Sequence, residues 1–329
     1  MSTRFVSGAR ALAFAGGGII CIRANCLFLA DLDLEHVASG VVLPISIRRK
    51  LLQRFRLAER IFRITVHSPA ITDWGEFFCI WEGEVISMNL STGAIAQELA
   101  LPARRKALYM SNVTGVAGFD DLVAFGEYWD NPRKAPTSIW ARRRNSSRWE
   151  VVHTFPSGEI EHVHNIVPDP YRNTVWILTG DFGNASALWR AFDNFGRVEL
   201  VARGLQVHRA AWLHCLPDRL IYATDTQMER NQLCEVRFDR DEARITRTQS
   251  LPGSSIYCSR GHGEVVFSTV VEPPAPSGRY LADLFSVTRG AGIETDLAHI
   301  FSVTDAGAVT ELFSAAKDRL PARLAQFGT

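Results

Sequence analysis

The chain has 329 residues, with 36 lysines and arginines against 35 aspartates and glutamates, so its formal net charge is +1. Hydrophobic residues make up 47% and charged residues 22%, which supplies a large core and excludes extended disorder. The near-zero charge argues against a nucleic-acid-binding protein that depends on a strong overall field. The 24 glycines, 19 phenylalanines and 8 tryptophans are typical of short strands joined by tight turns.

The first part of the chain predicts strands and then one helix. Residues 11–33 are two apolar strands around the glycine turn 16–18, and no run reaches the ~18 apolar residues of a membrane span. With no convincing signal peptide, we expect a cytoplasmic protein. Residues 47–63 predict a basic amphipathic helix. Its apolar stripe comprises Leu51, Leu52, Phe55, Ala58 and Phe62.

The middle of the chain repeats a short strand that ends near an acidic residue. The strands are 122–129, 174–181, 219–225 and 264–273. Glu127, Asp181 and Asp225 occupy the same terminal position, and Glu272 fits after a small shift. Another apolar strand precedes each of these strands, and an outer pair of strands follows most of them. A period in the forties with several strands per repeat predicts the blades of a β-propeller.

The repeats predict how the whole chain is organised. Two looser units, 11–33 and 61–101, precede the four clear repeats. We therefore expect an all-β propeller of about six blades (five to seven) that forms a single domain over residues 1–329. The helix at 47–63 lies between blades one and two, and a second short helix is predicted at 314–324, limited by Pro321.

Three segments combine a strand, a tight turn and a second strand with parts of one motif. They are 138–155, which has Trp149, 190–201, which has Asp193 and Gly196, and 302–313, which has Ser302, Asp305 and Gly307. This pattern resembles the Asp-box, or BNR, repeat of sialidase-like propellers. The resemblance implies a propeller of the kind found in uncharacterised glycan-active proteins of bacteria. The Asp-box itself is a structural turn.

The aligned acidic residues suggest a shared pocket. In a propeller the loops after the inner strands converge on one face, so residues in one register face each other around the axis. We therefore expect Glu127, Asp181 and Asp225 to line one pocket. Two carboxyl groups roughly 5–10 Å apart are what glycosidic cleavage needs, one as acid and one as base or nucleophile. The alternative is that the two aspartates only cap turns.

Histidines accompany these carboxylates. His162 and His164 are two residues apart, so both imidazoles project from the same face of a strand. His208 begins the corresponding strand of the next blade. General acid–base catalysis is one interpretation of these residues. A divalent metal held by imidazoles and carboxylates is another, and hydrogen bonding to loop backbone is the third. No other cofactor is predicted.

Further candidates flank these residues and would bind the substrate. Arg209 is suited to binding a carboxylate or phosphate through two hydrogen bonds, or it forms a salt bridge between blades. Tyr128 and Trp129 either stack on a sugar ring or fill the blade. His208 and Glu272 complete the predicted binding residues.

The pattern as a whole predicts an enzyme that cleaves a glycosidic bond of an oligosaccharide or polysaccharide. It would act as a hydrolase, or as a lyase on an acidic sugar, with Glu127, Asp181, Asp225, His162 and His164 as catalytic residues. A second hypothesis is a non-catalytic propeller in a polysaccharide-related assembly. A third is a metal-dependent propeller enzyme of other chemistry. The basic residues over 48–63 also suggest peripheral contact with an anionic membrane or polyanion; the alternative is a helix that only packs on the propeller between blades one and two.

Overall fold

A computed structural model describes residues 9–32, 40–240, 242–261, 263–321 and 323. Six antiparallel sheets follow one another along these residues, and each sheet consists of four strands that are consecutive in sequence. The predicted all-β architecture with six propeller blades is thereby confirmed. The first strand of each blade is an edge strand of its sheet and is the innermost, and the first strands of blades one to four contact one another in turn.

The first three blades come from the N-terminal half of the chain. Blade one contains β1 (Arg10–Ala15), β2 (Gly18–Arg23), β3 (Cys26–Asp31) and β4 (Val41–Val42). Blade two contains β5 (His67–Ile71), β6 (Glu76–Trp81), β7 (Glu84–Asn89) and β8 (Ile95–Ala100). Blade three contains β9 (Met110–Val113), β10 (Leu122–Gly126), β11 (Thr137–Arg143) and β12 (Glu150–Phe155).

The remaining three blades follow the same order. Blade four contains β13 (His162–Asp169), β14 (Thr174–Gly180), β15 (Ala187–Phe192) and β16 (Arg197–Arg203). Blade five contains β17 (His214–Cys215), β18 (Leu220–Ala223), β19 (Asn231–Asp239) and β20 (Glu242–Leu251). Blade six contains β21 (Cys258–Arg260), β22 (Glu264–Ser268), β23 (Leu297–Thr304) and β24 (Val309–Ala316).

The three Asp-box-like segments lie at turns between the third and fourth strands of their blades. Asp193 and Gly196 form the turn between β15 and β16, and Asp305 and Gly307 form the turn between β23 and β24. Trp149 follows the turn between β11 and β12 and is buried against Phe78 and Phe125 of the core between blades two and three. These positions agree with a structural role for the motif.

Buried apolar side chains fill the spaces between neighbouring blades. Alternate residues of each strand point to opposite faces of its sheet, so both faces of a blade contribute to this core. Between blades five and six, the rings of Trp212 and Phe267 lie 5.1 Å apart between centroids. The indole Nε1 of Trp212 donates to Ser255 Oγ at 2.8 Å, which satisfies its buried polar atom.

One tyrosine connects blades that lie on opposite sides of the propeller. The Tyr109 hydroxyl, just before β9 of blade three, donates to the Ile256 carbonyl of blade six at 2.7 Å. The same oxygen accepts the backbone N–H of Cys258 at 3.2 Å. Removal from water raises the pKa of Tyr109 well above its usual range, so the hydroxyl remains protonated and able to donate.

The helical insertion lies between blades one and two, as predicted, but it consists of two helices. α1 (Ile47–Leu52) begins at Ser46, whose hydroxyl accepts the Arg49 N–H, and α2 (Arg56–Phe62) follows a break at Phe55. The predicted apolar stripe is only partly covered: Leu52 packs against the core of blades one and two, whereas Leu51, Phe55 and Phe62 are 51%, 67% and 56% exposed. A short helix, α3 (Tyr280–Leu284), that the sequence analysis did not predict lies between β22 and β23.

The predicted C-terminal helix at 314–324 is wrong for the residues that the structure describes. Residues 314–316 belong to β24, which pairs antiparallel with β23, and residues 317–321 are not helical. The backbone hydrogen bonds to β23 outweigh the helix propensity of the short alanine-containing run. Residues 322 and 324 lie outside the described residues. Among the helices described, none is long and apolar enough to cross a membrane.

We expect Phe267→Ala to lower the free energy of unfolding by about 3–5 kcal/mol, because it leaves a cavity between Trp212 and Phe301. Urea denaturation followed by tryptophan fluorescence measures this change. Phe14→Ala is the matched control, since Phe14 is 64% exposed and its loss should change stability by less than about 0.5 kcal/mol. Equal effects of the two substitutions would contradict the packing described.

Candidate active site

Polar side chains from blades three to six meet where the inner strands end near the propeller axis. Blade three contributes the segments before β9 and after β10, and blade four contributes β13 and the segment after β14. Blade five contributes the segments before β17 and after β18, and blade six contributes the segment after β22. The group, here called the axial cluster, consists of Lys106, Tyr128, His162, His164, Asp181, Arg209, Asp225 and Glu272. Seven of the ten residues predicted for the site are therefore brought together.

The two histidines of β13 point their Nε2 atoms at each other. These atoms are 3.1 Å apart, and they lie 3.3 Å (His162) and 3.0 Å (His164) from Asp181 Oδ1. His162 Nδ1 contacts the Trp129 carbonyl and His164 Nδ1 contacts the Ala210 carbonyl, each at 2.9 Å. A carbonyl can only accept, so both Nδ1 atoms donate, and a neutral ring then presents a lone pair at Nε2.

Gly180 creates the space that this arrangement needs. A Cβ atom at this position would lie 2.2 Å from Cε1 and 2.4 Å from Nε2 of His164. Only glycine therefore allows the imidazole to reach over the chain to Asp181. The Glu161 carboxylate fixes the backbone here by accepting the Asp181 N–H at 2.5 Å. The end of β14 is thus shaped to hold His164 and Asp181 together.

Arg209 connects the carboxylates of blades four and five. Its Nη2 lies 3.1 Å from Asp181 Oδ1 and 3.5 Å from Asp225 Oδ2, while its Nη1 donates to Gln227 Oε1 at 2.7 Å. Burial alone would raise the pKa of Asp181, but the Arg209 guanidinium and the imidazoles hold this pKa well below its usual range. Asp181 is therefore ionised at neutral pH.

The pKa values of Asp225 and Glu272 are shifted in the opposite direction to that of Asp181: both are raised. Burial, only partly opposed by Arg209, raises the pKa of Asp225 to about 6. Burial and the Asp225 carboxylate raise the pKa of Glu272 to about 7. Asp225 Oδ1 and Glu272 Oε2 are shielded from solvent and have no hydrogen-bond partner within the described chain. The two groups therefore titrate as a pair near neutral pH and have oxygens free to meet a ligand.

Tyr128 and Lys106 form the side of the axial cluster contributed by blade three. The Tyr128 ring lies 4.4 Å from the His162 ring, and the Lys106 Nζ lies 5.3 Å from the Tyr128 ring centroid. Burial and the Arg63 charge lower the pKa of Lys106 to about 8. Burial and the Asp181 and Asp225 carboxylates raise the pKa of Tyr128 well above its usual range. The ammonium is thus a cation beside an aromatic face.

Three predicted residues lie outside the axial cluster. Glu127 points away from it, because its carboxylate contacts Arg105 at 2.5 Å and accepts the Ser138 N–H and the Trp140 Nε1–H. Trp129 contributes its carbonyl, while its ring packs against the Arg105 guanidinium. His208 is used locally, since its Nδ1 accepts the Leu205 N–H. The expectation that Glu127 shares a pocket with Asp181 and Asp225 is therefore wrong.

The sequence analysis missed Lys106 of the axial cluster and also Gln227, which accepts a hydrogen bond from Arg209. Lys106 lies before β9 and its backbone pairs with that of Tyr128. In the same way, Arg209 lies before β17 and its carbonyl accepts the backbone N–H of Asp225. A basic residue at the start of the inner strand is thus common to blades three and five. This signal is present in the sequence, but it becomes visible only when the repeats are aligned on the first strand rather than on the second.

Comparison with known proteins gives a fold and no family. No known family profile matches the chain, and no curated protein matches it in sequence. The resemblance to sialidase-like propellers therefore rests on the turn motifs alone. Many solved structures match the chain in fold.

Three of the similar structures have TM-scores above 0.5. An oligogalacturonate lyase in complex with manganese is 11% identical, with a TM-score of 0.55 over 89% of this chain and 73% of its own. A protein of unknown function from Desulfotomaculum acetoxidans is 9% identical, with a TM-score of 0.54 over 89% and 81%. A puromycin hydrolase mutant is 11% identical, with a TM-score of 0.53 over 94% and 46%.

We expect Glu272→Gln to become more stabilising as the pH rises from 5 to 8.5. A carboxyl group whose pKa is raised from 4.5 to about 7 by folding stabilises the folded state below its unfolded pKa and loses this contribution as the pH rises through 7. The amide does not ionise, so the difference in free energy of unfolding between the variant and the unmodified protein should grow in favour of the variant between about pH 4.5 and 7 and level off above about pH 7. Chemical denaturation at each pH measures the difference.

The control for this prediction is Glu242→Gln, at an exposed position of β20. Its effect on stability should not vary with pH over the same range. A pH-independent effect of Glu272→Gln would show that Glu272 does not titrate near neutral pH.

Proposed function

We propose that the protein is an enzyme that hydrolyses a glycosidic bond of an acidic saccharide at the axial cluster. One observation carries this proposal: two buried carboxyl groups, Asp225 and Glu272, have raised pKa values of about 6 and about 7, and the Asp225 carboxylate contributes to raising the pKa of Glu272. Glycosidic hydrolysis needs such a pair, one protonated and one ionised at the same pH.

The environments of the two carboxyl groups suggest a division of roles. Burial and the neighbouring Asp225 carboxylate favour the protonated form of Glu272, so it is the acid that protonates the leaving oxygen. Asp225 lies beside Arg209, which favours its ionised form, and it is the base or nucleophile. Arg209 also contacts Asp181 and Gln227, so its position is fixed before a substrate arrives.

The charges of the axial cluster suggest an acidic rather than a neutral sugar. Lys106 lies beside the Tyr128 ring, and its pKa of about 8 leaves it mostly charged at neutral pH. Its ammonium group is suited to pairing with a sugar carboxylate. Blade three would thus bind the acidic group while blades five and six supply the two catalytic carboxyl groups.

The structural neighbours support an enzymatic function without specifying it. One is named as an oligogalacturonate lyase and one as a puromycin hydrolase, and both share this fold at 11% identity. A lyase is the alternative to hydrolysis for an acidic sugar. Elimination would use a base to remove a proton next to the sugar carboxylate, and its product would contain a carbon–carbon double bond.

The helical insertion favours a second, separate role in docking. We propose that α1 and α2 bind an anionic membrane surface. Exposed apolar side chains and exposed cations share these two helices, a combination typical of interfacial helices. The exposed residues are Ile47, Leu51, Phe55, Leu57 and Phe62 together with Arg48, Lys50, Arg54 and Arg63.

We expect Asp225→Asn and Glu272→Gln each to lower the kcat for an acidic oligosaccharide by at least about 100-fold, because each removes one proton-transfer group. Release of reducing ends from a panel of uronate-containing and sialylated oligosaccharides measures turnover. Ultraviolet absorbance of the products separates elimination from hydrolysis.

Asp239→Asn is the matched control, because Asp239 is exposed at the end of β19 in the same blade as Asp225. This variant should retain full turnover. Lys106→Met removes the ammonium group proposed to pair with the sugar carboxylate. It should therefore raise the KM for acidic substrates and leave the KM for neutral analogues unchanged. Full turnover in the folded Asp225→Asn and Glu272→Gln variants would refute the assignment of the catalytic pair.

For the docking role, we expect the protein to bind vesicles that contain phosphatidylserine and not vesicles of phosphatidylcholine alone. Reversing two charges with Arg48→Glu and Arg54→Glu should weaken binding by at least about tenfold, since each cation near such a surface contributes about 1 kcal/mol. Vesicle co-sedimentation measures binding. Arg148→Glu, at an exposed position in blade three, is the control. Equal binding to both vesicle types would rule out this docking surface.

A further inference from the structure

We propose that His162, His164 and Asp181 form a binding site for one divalent transition-metal ion. The site lies at the blade-four edge of the axial cluster. It uses residues that the hydrolytic mechanism above leaves without a role in proton transfer.

The separations of the three ligand atoms fit a single ion. His162 Nε2, His164 Nε2 and Asp181 Oδ1 are 3.0 to 3.3 Å from one another. A transition-metal ion binds imidazole nitrogen and carboxylate oxygen at about 2.0–2.2 Å, which places neighbouring ligand atoms about 3 Å apart. The three atoms therefore already have the spacing of ligands around one centre.

The hydrogen bonds of the imidazoles direct both Nε2 atoms toward the point where a metal ion would bind. Both Nδ1 atoms donate to backbone carbonyls, those of Trp129 and Ala210, so neutral His162 and His164 present two lone pairs that face each other. The Asp181 carboxylate adds a third electron-rich atom. Such carbonyl contacts fix the tautomer and orientation of histidines that bind metals, and a metal ion removes the repulsion between the three atoms.

Arg209 does not block the site. Its Nη2 contacts Asp181 Oδ1 at 3.1 Å, but the same guanidinium also contacts Asp225 and Gln227. It therefore keeps two partners when a metal ion binds the Asp181 oxygen. Access to solvent is available through Asp181, whose side chain is 20% exposed, whereas His162 and His164 are buried.

The ligand set selects the class of ion. Two imidazoles and one carboxylate suit zinc, manganese, iron(II) or cobalt better than calcium or magnesium, which prefer oxygen ligands. Three protein ligands leave coordination positions open. A role of the metal ion in substrate binding rests on the proposed function. In that role, an oxygen of the acidic sugar would occupy an open coordination position of the ion, close to Asp225 and Glu272.

The test is a titration of chelator-treated protein with ZnCl2, MnCl2 and CoCl2. Calorimetry should give one site per chain, and bound Co2+ should show absorption bands that report its ligands. His164→Gln should weaken binding more than about 100-fold, since losing even an outer partner of a metal ligand costs roughly 10- to 100-fold. His153→Gln is the control, because His153 lies on the outer strand β12.

The outcomes separate this site from the proposed activity, because the titration needs no substrate. No saturable binding tighter than about 1 mM, or equal binding by His164→Gln and the unmodified protein, would overturn the site and leave the carboxyl pair untouched. If His164→Gln does not fold, Asp181→Asn replaces it. In the unmodified protein, Co2+ should also shift the NMR signals of His162 and His164 but not those of His153; unshifted signals would overturn the site.

Discussion

A single oxygen atom, Oδ1 of Asp181, organises the polar interior of this propeller. Both imidazoles of blade four and the guanidinium of blade five lie within 3.3 Å of it. Because that guanidinium also pairs with Asp225, the charge at blade four influences the protonation of the carboxyl pair between blades five and six. The cluster is thus one electrostatic unit, and its parts depend on the position of Asp181 at the end of β14.

The repeat pattern of the sequence was sufficient to predict the blades, because each blade has the same alternation of apolar strands and tight turns. It was also sufficient to bring Asp181, Asp225, His162, His164 and Arg209 to one end of the inner strands. The repeat pattern did not predict the position of Glu127, because this residue was aligned with the two aspartates only by its distance from the end of its strand. Successive strand residues point to opposite faces, so Tyr128 enters the cluster and Glu127 pairs with Arg105 on the other side.

The errors in the helices have a different cause. The apolar stripe of 47–63 satisfies the period of a helix, but periodicity does not reveal whether a partner covers the stripe, and here most of it is exposed. At 314–316 the local preference for helix gives way to pairing with β23, the strand that one turn joins to β24. Lys106 was missed because a lone lysine before a strand resembles any solvated surface residue until its partner Tyr128 is known.

The Tyr109 hydroxyl bonds give the cluster a mechanical property that blade packing alone would not. The residues of the cluster come from an arc of four blades, and Tyr109 joins the first of these blades directly to the last. One side chain therefore acts as a chord across the arc and sets the distance between its ends. The two ends of the arc, which carry Lys106 and Glu272, are thus joined by hydrogen bonds across the ring as well as through the blades between them.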